Sequence, residues 1–363
     1  MQLEFPHGTG LDFIPAIGNS ARVSGPHSAA KQLLDDLLKQ TSRSFYLTLR
    51  VLPQAIRPQI SLAYLLARTT DTIADTEIVS VPQRLAVLQK LRDRIRAAGG
   101  TPLELGVMAR HQGSTGERLL LEQVEVALDA LGRLATEDLR LVRLVLETII
   151  SGQELDLQRF GTASGENIIA LQNDPELDDY TYRVAGCVGD FWTRMCRTHL
   201  FPRAKINDPD FLVDAIRFGK GLQLVNILRD LPADAKKGRC YLPADKLAEA
   251  GLTPADLLSP VSIGKLRPHY DRYLDRAEAH LAAGWNYTNT IPRGQMRVRL
   301  ACAWPVLIGV KTLQRLRTEN VLDGKQRVKV SRSEVRQIML QSLLRYPFDA
   351  AWRKLAAFPT RQR

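Results

Sequence analysis

Between Ile60 and Ile78 the chain is apolar around most of a helical circumference, yet it carries two carboxylates, Asp71 and Asp75. A helix apolar nearly all round is buried. Charge placed there is costly unless it is paired or metal-bound, so the fold must bring counter-charge to an interior helix. Spacing of four puts both side chains on one face, roughly 5–6 Å apart. Asp230 and Asp234 in DLPAD repeat the arrangement far downstream, and an arginine stands just before each pair, Arg68 and Arg229. One pair alone reads as a salt-bridged surface. Two such pairs suggest two walls of a cavity in which Mg²⁺, or Mn²⁺ in its place, bridges carboxylates to a substrate phosphate, a mixture of ligands that magnesium favours.

Helical periodicity dominates from about Ser28. Leu33, Leu34, Leu37 and Leu38 form a stripe, and helices are expected over Pro82–Ala98, Glu117–Ala135, Glu137–Phe160, Pro175–Leu200, Pro209–Leu231, Val261–Asn289, Arg293–Arg317 and Arg332–Leu344. Alternating strand patterns, a βαβ rhythm and long repeats are almost absent, which predicts an all-α bundle around a central cavity. No Pro/Gly/Ser-rich linker divides the chain. The expected organisation is an irregular arm over 1–27, one domain over 28–345 and a tail over 346–363. Pro232 lies inside the second acidic motif and lacks the N–H of a regular helix. The helix is expected to kink or end there, which sets Asp234 apart from Asp230.

The net charge of +11 and pI of about 9.6 suit an anionic partner. Bare carboxylates repel a phosphate chain unless metal ions intervene, so the acidic pairs favour a diphosphate ligand over nucleic acid. Cys187, Cys196, Cys240 and Cys302 stand singly, as in a reducing cytosol. The six histidines show no zinc-ligand spacing. The first residues carry Glu4 and Asp12 where a signal peptide is basic and then apolar, and no run is long enough to span a bilayer. A cytoplasmic protein is expected, with peripheral contact at a membrane left open.

Other polar groups sit at structured places. Ser42, Arg43, Ser44 and Phe45 open a helix, where hydroxyls and a guanidinium make a phosphate cradle or an ordinary N-cap. The cations of AKKGRCYLP, residues 235–243, either close over a diphosphate or form a solvated loop. YTYRVAGCVG, residues 180–189, mixes two tyrosines and an arginine with small residues that admit a close neighbour. Gln153, Glu154 and Asp156, and Gln223 with Asn226, lie on apolar helices, where such groups are often satisfied core hydrogen-bonders. Asn226 is one turn before Asp230 and faces the same way.

Taken in order, SRSFYLTLRVLP, YLLARTTDTIADT, YTYRVAGCVG and NILRDLPADAKKGRCYLP resemble the squalene/phytoene synthase family, from about Ser42 to about Arg332. The resemblance implies the isoprenoid synthase fold, with two aspartate-rich motifs facing each other across a hydrophobic channel, and head-to-head condensation of two prenyl diphosphates. On that reading Asp71, Asp75, Asp230 and Asp234 are the metal ligands. Ser42, Arg43, Ser44, Phe45, Tyr64, Arg68, Gln223, Asn226 and Arg229 match positions that hold the substrate or support the metal site, and Tyr180 matches an acid/base tyrosine. Ala74 and Ala233 stand where relatives often carry glutamate, so each motif has fewer carboxylates than usual.

The product depends on how the last cation is quenched. Hydride from NADPH gives squalene, by way of presqualene diphosphate, and proton loss gives phytoene or dehydrosqualene. The segment from Asn320 to Arg332 resembles the basic region of squalene synthases that binds the dinucleotide, which implies that Lys325, Arg327, Lys329 and Arg332 meet an NADPH phosphate. No GxGxxG fingerprint is present. The resulting expectation is a squalene synthase acting on farnesyl diphosphate, with a phytoene or dehydrosqualene synthase as the near alternative. A basic helical protein that binds nucleic acid or anionic membrane is the alternative from another class.

Overall fold

The computed structural model describes residues 26–41, 45–97, 100–323, 327–356 and 358. Its helices are, in order, α1 (Pro26–Thr41), α2 (Phe45–Val51), α3 (Arg57–Ala74), α4 (Val81–Arg96), α5 (Gly106–Arg110), α6 (Thr115–Glu122), α7 (Val124–Gly132), α8 (Thr136–Arg159), α9 (Asp174–Thr181), α10 (Cys187–His199), α11 (Asp208–Lys236), α12 (Ala244–Glu249), α13 (Ile263–Thr290), α14 (Met296–Thr318), α15 (Arg332–Arg345) and α16 (Asp349–Arg353). Two short strands, β1 (Ile169–Ala170) and β2 (Arg239–Cys240), pair in parallel. The all-α expectation holds. No helix among the described residues is long and apolar enough to cross a membrane.

Local chemistry sets several helix starts. Ser80 and Gln83 box the start of α4, with Pro82 in its first turn, the Asn173 side chain accepts the Glu176 N–H at α9, and Ser331 with Glu334 boxes α15. Packing sets the rest. One apolar cluster gathers Leu66, Ile73, Leu146, Ile150 and Met195 from α3, α8 and α10, and a second gathers Leu228, Leu274 and Val306 from α11, α13 and α14. Each fully buried Leu or Ile contributes roughly 1.5–3 kcal/mol. Phe218 of α11 touches both clusters, and α11 lies along α13 while also meeting α9, α10 and α14. A Cβ at Gly189 of α10 would overlap the Ala215 carbonyl of α11, so the small residues of the 180–189 motif do admit a close helix.

Several boundaries differ from the sequence reading. The Glu117–Ala135 run is two helices broken at Gln123, which turns Leu120 and Leu121 of one half and Val124, Leu128 and Leu131 of the other into the interior. Between α9 and α10 a π-helical turn, Tyr182–Gly186, leaves the Cys187 N–H on the Tyr182 carbonyl. Such bulges rotate the register and recur at functional sites. The segment from Tyr346, read as a tail, packs back on the bundle. Trp352 is 1% exposed, stacks on Trp285 at 5.3 Å and donates its Nε1–H to Asn289 Oδ1 over 2.8 Å. The four cysteines are free and buried, three in the first apolar cluster and Cys240 in the second.

Of the two expectations at Pro232, a kink or an end, the second is overturned. Rather than ending, α11 continues through it to Lys236. Proline takes a donor away from the carbonyl four residues back, here that of Leu228. The Tyr270 hydroxyl of α13, buried in the second cluster, donates to that carbonyl over 2.9 Å. A neighbouring helix thus supplies the missing hydrogen bond, and Asp230 and Asp234 stay one turn apart on a continuous helix. Tyr270→Phe should cost about 1–3 kcal/mol in urea unfolding, because it leaves a buried acceptor unmet. In a Pro232→Ala background residue 232 regains its N–H, and the cost should shrink toward zero. Equal costs in both backgrounds would remove Tyr270 from this role.

Candidate active site

The C-terminal half of α3 forms one wall. Asp71 and Asp75 project from successive turns, and the Asp75 N–H still bonds the Asp71 carbonyl at 2.9 Å. Arg68 donates through Nη1 to Asp71 and through Nη2 to Glu117 of α6. Tyr64, one turn earlier, lines the same cleft, and burial pushes its hydroxyl up to about 12. Arg84 of α4 donates to the Ala74 carbonyl over 2.5 Å and so caps the end of α3. The Asp75 side chain is 58% exposed at the mouth, with Arg239 Nη1 3.6 Å away.

A second wall comes from α8 and the chain after α11. Asp156 of α8 accepts the Tyr241 hydroxyl at 2.7 Å. Tyr241 stacks on Tyr180 with ring centroids 4.6 Å apart, and Phe160 meets it edge-on at 5.4 Å. The turn that delivers Arg239 and Tyr241 depends on Gly238, whose φ is +82° and whose missing Cβ would overlap the backbone of Ser164. Pairing of β2 with β1 then fixes the direction of the chain.

Between the walls lies a cleft with about 1450 Å³ of empty space, part of it open to solvent. Its charged end carries Asp71, Asp75, Arg68, Arg84, Asp156 and Arg239, and its far end is apolar, with Ile60, Val145, Phe191 and Trp192. From Asp71 down to Ile60, α3 descends roughly 16 Å at its usual rise per residue. The second acidic pair stands differently. Asp230 is forked by Arg229, at 2.9 and 2.6 Å, and again by Arg327, at 2.8 and 2.7 Å. From α11 it is Gln223 that reaches the cleft wall, while Asp230, Asp234, Asn226 and Arg229 do not line it.

Electrostatics nonetheless join the two regions. Burial pushes the Tyr180 hydroxyl well above its ordinary value, and the charges of Asp156, Asp234 and Asp71 push it further. The fields of carboxylates from three helices therefore reach one phenol. Burial raises Asp156 to about 7. Burial, and then the charge of Asp230, raises Asp234 to about 7. Asp75 is raised by desolvation in the cleft and then by Asp71. Asp230 goes the other way: its two arginines overcome burial and hold it below the usual carboxylate range.

This donor set fits a hard divalent cation that arrives with its own phosphate. Among the described residues no three His, Cys, Asp or Glu side chains are close enough to enclose a metal by themselves, and Mg²⁺ normally takes one or two carboxylates with phosphate and water. Asp156 Oδ1, Gln153 Oε1, Gln223 Oε1 and Asn226 Oδ1 are buried without a hydrogen-bond partner, as atoms awaiting a ligand are.

Of the expected site residues, Asp71, Asp75, Tyr64, Arg68, Tyr180 and Gln223 meet at the cleft. Phe45 begins α2. Ser42, Arg43, Ser44 and Lys325 lie outside the described residues. Arg327 is turned to Asp230, and Lys329 and Arg332 are not on the cleft wall. Sequence analysis placed Asp156 only among the polar groups of an apolar helix and Tyr241 only within the 235–243 segment, and it missed Glu117. Asp156 had one available signal, a charge on the apolar stretch of α8.

A family model described as squalene/phytoene synthase matches residues 38–334. The chain belongs to the squalene/phytoene synthase family. Presqualene diphosphate synthase of Rhodopseudomonas palustris is 31% identical over 250 residues, 69% of this chain and 76% of that protein. The bifunctional lycopene cyclase/phytoene synthase of Colletotrichum graminicola is 31% identical over 293 residues, 76% of this chain, which spans 45% of that longer protein. The fold is that of TcSQS with a bound ligand, at a TM-score of 0.73 and 20% identity, covering 92% of this chain and 94% of that one. Squalene/phytoene synthases are prenyltransferase-type isoprenoid synthases that handle diphosphates with a divalent metal.

The raised carboxyls give a sign to the pH dependence. An Asp raised in the folded chain binds a proton there that the unfolded chain has already lost, so between about pH 4 and 7 folding is weakened as pH rises. Metal-free protein should therefore melt lower at pH 8 than at pH 5. Mg²⁺ should raise the melting temperature more at pH 8, where the carboxylates are ionised. A metal effect equal at the two pH values would separate the metal from these groups.

Proposed function

We propose that the protein condenses two farnesyl diphosphates head to head, through a cyclopropylcarbinyl diphosphate, to squalene. The observation that supports this is the polarity of the cleft along its length. Carboxylates and guanidiniums crowd one end, and an apolar bore continues toward Phe191 and Trp192. Such a shape suits an anchored diphosphate with a buried hydrocarbon tail.

The chain's own residues have definable work on this reading. Arg68 and Arg239 offset charge as the C–O bond to diphosphate breaks, in a site where low dielectric strengthens each contact. The apolar lining keeps water from the allylic cation, leaving the double bond of the second chain to capture it. Tyr180, its phenol held neutral by burial and by carboxylates, presents an aromatic face and a hydroxyl to the cation. When bound, a divalent cation at Asp71 and Asp75 would neutralise the departing diphosphate, Asp230 and Asp234 would hold a second once the diphosphate draws Arg229 and Arg327 from Asp230, and NADPH would supply the closing hydride.

A second reading has its own support. Asp156 and Tyr241 form a hydrogen-bonded, proton-accepting pair in the cleft wall, which suits an ending by proton loss and a phytoene or dehydrosqualene product. Incubation with farnesyl or geranylgeranyl diphosphate and Mg²⁺, with and without NADPH, distinguishes the two by mass spectrometry of the lipids. Squalene formed only with NADPH is the expected outcome, and a desaturated product despite ample NADPH would replace the first reading by the second. Asp71→Asn and Asp230→Asn should each lower diphosphate release at least about a hundredfold, the scale for losing one electrostatic stabiliser of a transition state, with the circular dichroism spectrum unchanged. Near-normal turnover at saturating Mg²⁺ would overturn the metal assignment.

A further inference from the structure

Surface helices normally turn their apolar side inward, and α15 does so only in part. Its inner side is held by Val335 and by Ser342, whose Oγ accepts the Trp304 Nε1–H at 2.9 Å. Outward, Leu340, Leu343 and Leu344 are 57%, 42% and 64% exposed, and Phe348 in the following turn is 66% exposed. Leu340 and Leu344, four apart on α15, lie along one edge of the helix, and Phe348 follows three residues past its end in the extended link to α16. Contiguous apolar surface of this kind marks a place of contact.

The charge along this segment is predominantly positive. Arg336 and Arg345 flank it, and neither has an ion pair among the described residues. Arg293 reaches the Pro347 carbonyl at 3.0 Å and adds a further cation at the rim. From Val335 to Lys354, Asp349 is the sole acid against Arg336, Arg345, Arg353 and Lys354, and Arg353 already pairs with it at 2.8 Å.

We propose that this face of α15 and Phe348 docks on an anionic lipid surface, the leucines and phenylalanine entering the acyl boundary while the arginines meet headgroup phosphates. Interfacial helices bind through this combination of apolar area and cationic flanks. A second copy of the chain fits less well, because a two-fold contact would set the arginine-flanked faces against each other. The inference does not depend on the reaction assigned to the cleft.

Sedimentation with vesicles tests it. The protein should bind vesicles of phosphatidylcholine with phosphatidylglycerol far better than phosphatidylcholine alone, and high salt should release it. Arg336→Gln with Arg345→Gln should weaken that binding about thirtyfold, from the usual contribution of two basic residues at an anionic surface. Leu344→Ser with Phe348→Ser should abolish it while the thermal melt stays unchanged. Equal binding to neutral and anionic vesicles would overturn the proposal, as would undiminished binding by the Leu344→Ser, Phe348→Ser protein. So would a dimer in solution that the same pair of substitutions dissolves.

Discussion

The hydroxyl of Tyr270 replaces, on the carbonyl of Leu228, the hydrogen bond that Pro232 takes from α11, and the site depends on that helix running on to Lys236. Without a donor from outside, proline at 232 would leave a buried acceptor unmet and invite the helix to stop before Asp234. With it, α11 holds two acidic turns in register and then delivers Gly238, Arg239 and Tyr241 through a single tight turn into β2. A side chain on α13, remote in sequence, thereby fixes which groups face Asp75 and Asp156.

Charge is arranged here by pairing rather than by exposure. Arg68 divides its guanidinium between Asp71 and Glu117, and Asp230 is clasped from both sides by Arg229 and Arg327. Asp156 and Asp234 are buried with less compensation, which is why their protons are held to higher pH, and Asp75, out at the mouth, is raised beside Asp71. A buried carboxylate either has its cation or keeps its proton. The site contains both solutions, and the second marks where an added cation stabilises most.

Much of this was legible in the sequence because periodicity and spacing are local. The two acidic pairs, their arginines and the helical class follow from residues a few positions apart, and Tyr180 follows from the resemblance to the family. What was not legible is set by contacts between distant segments. Tyr270 rescues Pro232 from thirty-eight residues downstream, and Arg327, expected at a dinucleotide, forks Asp230 across a separation that no local pattern signals. Trp352 turns a presumed tail into part of the bundle because Trp285, Asn289 and Arg299 form its receptor. Asp156 was visible as a charge on an apolar helix, but its partner Tyr241 comes from the far side of α11, and no local pattern joins the two.

The four buried cysteines carry a practical consequence. Burial pushes the Cys187 and Cys240 thiols up to about 12 and raises Cys196 and Cys302 as well. Thiolate is the reactive form, so an alkylating reagent finds neither access nor nucleophile while the bundle is closed. Each modification event must then follow an opening of the chain. Because Cys240 belongs to one apolar cluster and the other three to its neighbour, the order in which the thiols are trapped records whether the two halves of the bundle breathe together or apart, with no label added.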